Sequence, residues 1–234
     1  MTKNPYFCQM ISTTIEKNIL EDKSFKQFLW MIVFILVATM PILFLPKEVP
    51  SIWMDQFHGP LLDRFFYYIT YLGDGLFFIP ILIFLLFRSY SLSAFFVFFV
   101  ALEAVLVQLV LKKGFFDFLE RPSAYIEDFD ELSQVAGVHL HSLHSFPSGH
   151  TQSIFLVITF LALLNKRGWP VNMGLIIIAA LTAISRVYIY QHFFIDIWFG
   201  AFIGVLVPVL GIYLWQRKKA IPNWGRFRFA GKSS

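Results

Sequence analysis

Charge is scarce in this chain: 15% of its 234 residues are Asp, Glu, Lys or Arg, while 57% are hydrophobic. A soluble domain of this size carries about 25% charged residues. The shortfall argues against an ordinary water-soluble globule and for lipid as the solvent. Cysteine is nearly missing as well. Cys8 stands alone, which excludes an internal disulfide, and no thiol-activating neighbours surround it. Internal repeats, low-complexity tracts and a secretory leader are also lacking. The first apolar run begins near Phe28 behind a long polar segment, and it is too long for a leader's hydrophobic region. The net charge of +4 builds no groove-like basic patch. Arg217, Lys218 and Lys219, and then Arg226, Arg228 and Lys232, follow an apolar segment, where they set membrane orientation. No nucleic-acid partner is expected, and the bilayer is.

What the chain has in abundance is apolar runs rich in phenylalanine. A full span takes about 20 apolar residues. Spans are expected from Phe28 to Leu45, from about Gly75 (beginning near Tyr71) to Phe87, and from Leu92 to Leu111. Three more are expected from Pro147 or Ser148 to Leu164, from Val171 to Tyr190, and from Phe193 to Trp215. Residues 50–75 mix Trp53, Phe57, Leu61 and Phe65 with Asp55, His58, Asp63 and Arg64, the pattern of an amphipathic helix at the interface. Ile11, Ile15 and Ile19 recur at helical spacing, which predicts a second short interfacial helix. The expected architecture is therefore an all-α membrane protein. A six-transmembrane-helix bundle at 28–216 would follow an N-terminal segment at 1–27 and precede a basic tail at 217–234, with a long loop over 114–146 between spans three and four. Arg88, Lys166, Arg167 and the Arg217–Lys219 run share one face under this layout, and the positive-inside rule makes it cytoplasmic. The long loop and the turn near 186–192 then meet on the opposite face.

Three clusters carry chemistry. The first is Lys112 and Lys113 followed by Arg121-Pro122. The second is Pro147-Ser148-Gly149-His150 at the start of the fourth span. The first amides of a helix have no intrahelical partner and sit at its positive end, so an anion fits there. Gly149 allows close approach of a ligand, Ser148 adds a hydroxyl, and His150 is placed to protonate a leaving oxygen. The third cluster is Ser185-Arg186, His192 and Asp196. His192 and Asp196 are four apart and share a helix face. A carboxylate on one ring nitrogen orients the imidazole and leaves the other nitrogen free to attack. The Arg186 fork can hold phosphate oxygens with two parallel bonds. Arg121, Arg186 and one lysine would neutralise charge on a phosphoryl group in flight.

The three clusters together resemble the type-2 phosphatidic acid phosphatase superfamily of membrane lipid phosphatases. Its signature is Lys-x6-Arg-Pro, then Pro-Ser-Gly-His, then Ser-Arg-x5-His-x3-Asp. Pro147–His150 matches in full, as do Ser185, Arg186, His192 and Asp196. The resemblance implies hydrolysis of a lipid phosphate without a metal or other cofactor. It makes His192 the nucleophile that forms a phosphohistidine, with Asp196 orienting it. His150 is the acid for the leaving group and then the base for water. Lys113, Arg121, Ser148, Gly149 and Arg186 are the expected phosphate ligands. The family spacing points to position 114, which is Gly114, so Lys113 is the nearest lysine and Lys112 stands behind it. One residue turns an α-helix by about 100°, which a local irregularity near Gly114 could absorb.

Substrates open under this resemblance are undecaprenyl diphosphate, phosphatidylglycerol phosphate, phosphatidic acid and lipid A phosphate. The expected setting is a bacterial inner membrane, with the site facing the periplasm. Vanadate-dependent haloperoxidase chemistry uses a similar oxyanion cradle, and a non-catalytic binder or transporter of anionic lipids needs the cations without the histidines. His139, His141 and His144 read as a solvated loop rather than a metal site, since no carboxylate or cysteine is placed with them. Glu103, inside the third span, is expected to face the bundle interior and hydrogen-bond there.

Overall fold

The computed structural model describes residues 19–88 and 90–217. Cys8, the interfacial helix expected around Ile11 and Ile15, and the tail beyond Arg217 lie outside the described residues. Among the described residues every regular element is helical. Helix α1 is Lys23–Thr39, capped by the Asp22 carboxylate, which accepts from the amides of Ser24 and Phe25. The segment expected as one interfacial helix forms two instead, α2 at Val49–Asp55 and α3 at Pro60–Ile69. Each carries proline in its first turn, where a missing N–H costs nothing. Helix α3 tightens into a 3-10 turn, Thr70–Gly73, and breaks at Asp74, whose carboxylate accepts from the Leu76 amide at 2.9 Å. Helix α4, Phe78–Arg88, follows.

Helix α5, Tyr90–Ala104, continues as a π-helical stretch, Val105–Phe115. A single turn, α6 at Pro122–Tyr125, interrupts the long loop. Then come α7 at Gly149–Leu164, α8 at Trp169–Tyr188 and α9 at Phe194–Arg217. Four stretches are each long and apolar enough to cross a membrane: Lys23–Phe44, Leu92–Phe115, Trp169–Tyr188 and Phe194–Trp215. Pro60–Gly73 and Gly75–Arg88 satisfy the same test together, bent by 61°. The stretch over 50–75 is thus not a single helix, and its second half meets the apolar stretch that follows at the Gly73–Gly75 break. Trp30, Phe34 and Phe44 lie exposed along the first span, as side chains facing acyl chains do. The protein is an integral membrane protein.

Helix α7 is the buried centre of the bundle and packs against α1, α5, α8 and α9. Its closest neighbour is α9, and glycine makes that approach possible. A Cβ on Gly200 would stand 2.7 Å from the Ser148 carbonyl oxygen, and one on Gly204 would stand 2.4 Å from that of Gln152. This small-residue spacing lets two helices in lipid meet backbone to backbone. It also fixes the register of the site, because the Ser148 amide donates to the Asp196 carbonyl at 3.0 Å. Gly73 plays the same part on the other side of α7, where a Cβ would lie 2.6 Å from the His150 carbonyl. At the far end of the bundle, Asn165, Asn172 and Ser24 form a buried polar knot joining α1 to α8, and Lys166 meets Asp22 at 2.6 Å.

Candidate active site

A cavity of about 670 Å³ opens where the N-terminus of α7, the C-terminus of α8, the π-helical end of α5 and the Thr70–Gly75 turn converge. His192, His150, Gly149, Arg121 and Arg186 all line it. They come from segments up to 71 residues apart in sequence, so folding performs the convergence that their order only suggests. Three cations, Lys112, Arg121 and Arg186, face the cavity, with Asp74 as the only carboxylate among its lining residues.

Ser148 and Asp196 are buried behind the lining rather than in it. Ser148 is the N-cap of α7, and its Oγ accepts from the amide and the hydroxyl of Thr151 at 3.4 and 3.0 Å. That bond satisfies one of the orphan amides at the helix start and leaves the others for a ligand. Asp196 stands beyond His192, with Oδ2 at 3.4 Å from His192 Nδ1. Nδ1 makes no hydrogen bond among the described residues, so the pair is poised at contact distance rather than bonded. The same Oδ2 accepts from Ser145 Oγ at 2.5 Å and from the Phe193 amide at 2.9 Å. Two donors thus hold the carboxylate beside the ring. Burial, above all, and then Arg121, Lys112 and Arg186 keep the His192 pKa well below its ordinary value. The imidazole is therefore neutral at physiological pH, the state in which a ring nitrogen can attack.

The two arginines are engaged differently. Arg121 donates from Nε to the Leu143 carbonyl at 2.9 Å, and from Nη1 to the carbonyl and side-chain oxygens of Gln191 at 3.0 and 2.9 Å. Its Nη2 reaches the His144 carbonyl at 3.5 Å. It pins the long loop to the turn that carries His192 while its guanidinium borders the cavity. Arg186 donates from Nη1 to Thr70 Oγ1 at 2.8 Å, and its buried Nε has no partner among the described residues. A buried, unsatisfied guanidinium N–H is costly unless an anion completes it.

The structure turns Lys112, not Lys113, to the cavity. Lys112 is buried and lines it, whereas Lys113 is exposed outside. The reason is the π-helix. The Phe116 amide bonds back to the Leu111 carbonyl at 2.8 Å, five residues away, so each turn takes up more chain than an α-turn, and Lys112 rather than Lys113 comes round to the cavity side. Lys112→Met is accordingly expected to lower kcat/KM by about a hundred- to a thousandfold, the usual cost of one transition-state donor. Lys113→Met is expected to stay near wild type. Phosphate release by the two variants decides it, and equal losses would remove the assignment of Lys112.

Sequence reasoning passed over Ser145, Gln191 and Thr70. Ser145 steadies Asp196, Gln191 accepts from Arg121 and donates to the His139 carbonyl at 2.9 Å, and Thr70 holds Arg186. Single hydroxyls and amides carry no pattern, and Thr70 lies 116 residues from its arginine. His139 and His141 line the cavity with rings 4.9 Å apart, while His144 offers only its carbonyl, to Arg121. Among the described residues no three His, Cys, Asp or Glu side chains are placed to share a metal ion. Glu103 is buried in the bundle interior and accepts from Gln152 Nε2.

Comparison with known proteins agrees with this geometry. The PAP2 superfamily model matches residues 67–220. The chain belongs to the PAP2 superfamily. Among its relatives is a lipid A 4'-phosphatase from Porphyromonas gingivalis, 30% identical over 169 residues, which cover 68% of this chain and 70% of that protein. The crystal structure of Aquifex aeolicus LpxE superposes with a TM-score of 0.62 at 29% identity, covering 73% of this chain and 96% of that one. A Bacillus subtilis PAP2-type phosphatidylglycerolphosphate phosphatase shares the fold, with a TM-score of 0.57 at 22% identity over 88% of this chain and all of that one. This PAP2 chain is a lipid phosphatase, and its cavity lies inside the matched segment.

Proposed function

We propose that the protein hydrolyses a lipid phosphate through a phosphohistidine on His192, without a metal ion. Arg186, Arg121, Lys112 and the free amides around Gly149 hold the phosphoryl oxygens at the start of α7. A ring nitrogen of His192 attacks phosphorus as the bond to the lipid oxygen breaks, and His150 delivers the proton that this oxygen needs. The nearby Asp196 charge stabilises the imidazolium formed on attack. Water then attacks the phosphohistidine while His150 takes its proton back, releasing phosphate and free His192. The observation that carries this reading is the convergence of three buried cations, one with an unpaired N–H, on both histidines in one cavity. Fixed cations there supply the charge stabilisation that a metal supplies in other phosphatases.

The proposed topology has six spans. It counts the bent pair Pro60–Arg88 as one span, and the 16-residue α7, too short to pass alone, as another. Lys166 and Arg167 then lie on the cytoplasmic side, and the cavity opens at the periplasmic face of a bacterial inner membrane. Of the four candidate substrates, lipid A phosphate is favoured, because the relative matched over 68% of this chain is a lipid A 4'-phosphatase. The test is phosphate release by the purified protein in detergent with chelator present, across the four lipids. Chelator-resistant turnover that prefers the lipid A phosphate is expected. Turnover that stops with chelator would overturn the metal-free mechanism, and preference for another lipid would overturn the substrate.

A further inference from the structure

The cavity continues past the phosphate-holding residues into the membrane, and its wall changes chemistry in an ordered way. Val100, Ala104, Gln108 and Lys112 recur every fourth residue along the third span, and all four line it. From the cation inward these positions read a charge, an amide, then two apolar residues. The facing wall repeats the middle step. Gln152 lies two residues beyond His150 on α7, lines the cavity and is nearly buried. Its Nε2 donates one bond to Glu103 Oε2, which turns its Oε1 away from that carboxylate as an acceptor. Gln108 reaches across to the start of α7, where its Nε2 stands 3.0 Å from where a Cβ on Gly149 would lie. Two amides thus line the cavity beside the phosphate-holding residues, one on each wall. Gln152 is buried and Gln108 is exposed to the cavity; once a bound lipid shuts water out, such amides reward a ligand that hydrogen-bonds them and penalise one that does not.

We propose that Gln108 and Gln152 are specificity-determining residues that read hydrogen-bonding atoms of the leaving group within about one helical turn of the phosphorus. The inference rests on the site being the lipid phosphatase site described above. An acylated sugar or glycerol phosphate carries hydroxyl, amide or ester groups at that depth. A polyprenyl monophosphate carries only hydrocarbon there and would leave the Gln108 amide and the Gln152 Oε1 without a ligand partner. The two amides therefore select the acylated class over it, and the Glu103 bond keeps Gln152 oriented for it.

The test compares kcat/KM for three substrates in the same mixed micelles: an acylated glucosamine disaccharide phosphate, phosphatidic acid and a polyprenyl monophosphate. Wild type is expected to favour at least one acylated substrate over the polyprenyl one by tenfold or more. Gln108→Leu, and separately Gln152→Met, are expected to shrink that ratio by about tenfold. A purely structural role would lower all three rates together and leave the ratio unmoved. A shrinking ratio for the sugar alone, or for phosphatidic acid alone, supports the proposal and names which acylated body is read. Gln108→Met serves as the shape-conserving second variant if Gln108→Leu folds poorly. A wild-type ratio near one, a preference for the polyprenyl substrate, or variants that keep the wild-type ratio would each overturn the proposal and leave lipid phosphate hydrolysis standing. A wild type that releases phosphate from none of the three would overturn the proposed function together with it.

Discussion

His192→Ala is expected to abolish turnover, with a loss in kcat on the order of 10⁵- to 10⁶-fold, as when a protease loses its nucleophile. His150 cannot take its place, because it is needed on the leaving-group side. The fold should survive, since the turn around His192 is held by backbone bonds. The amides of Gln191 and His192 both donate to the Arg186 carbonyl, at 2.9 and 3.1 Å. Phosphate release under saturating lipid, with a melting curve on the same sample, makes the measurement. Residual activity within a hundredfold of wild type, in a folded sample, would take the nucleophile away from His192. The variant also changes how stability responds to pH. Burial and the neighbouring cations hold the His192 pKa below its ordinary value, so below about pH 6.5 the unfolded chain binds a proton that the folded chain refuses. Stability from this group is therefore complete above that pH and falls as the pH drops through it. His192→Ala should flatten that part of the melting profile.

The second large loss is expected at Asp196→Asn, about 10⁴-fold in kcat by analogy with a serine-protease aspartate. The amide that replaces the carboxylate still offers an oxygen to Ser145 Oγ and to the Phe193 amide, so local structure is retained. What disappears is the negative charge 3.4 Å from His192 Nδ1, which favours the imidazolium formed on attack. Ser145→Ala, which removes only a bond to the carboxylate, should cost far less. Rates measured side by side separate the two effects. Equal losses would mean that Asp196 acts through the position of the loop rather than through its charge.

Helical membrane architecture was legible because apolar runs have to be long to cross lipid, and length is a property of sequence. The number and shape of the crossings were less so. The mixed stretch over 50–75 has the pattern of an interfacial helix, yet the chain splits it at Gly59 and Pro60 and bends the second half into the next apolar run at Asp74. That bend depends on Gly73 lying against the His150 backbone, a contact with a segment 77 residues away. The two lysines make the same point on a finer scale. Their presence is plain, but which one meets the cavity depends on whether the helix beneath them winds as α or π. Backbone geometry that few residues specify individually is set by how the whole helix packs.

The sequence by itself determined the solvent and the helical class, and it marked the residues proposed as the reaction centre. Composition reports on environment, and Pro147–His150, Arg186, His192 and Asp196 stand in short segments whose chemistry is read directly from residue type and spacing. Only the tertiary structure decided which groups stand behind and beneath that centre: Lys112 over Lys113, Ser145 on Asp196, Thr70 on Arg186, Gln191 on Arg121, and the amides of Gln108 and Gln152 beyond them. The physical reason is that these partners meet across the bundle through single hydrogen bonds or shared exposure to one cavity. Such contacts impose no periodicity on the chain.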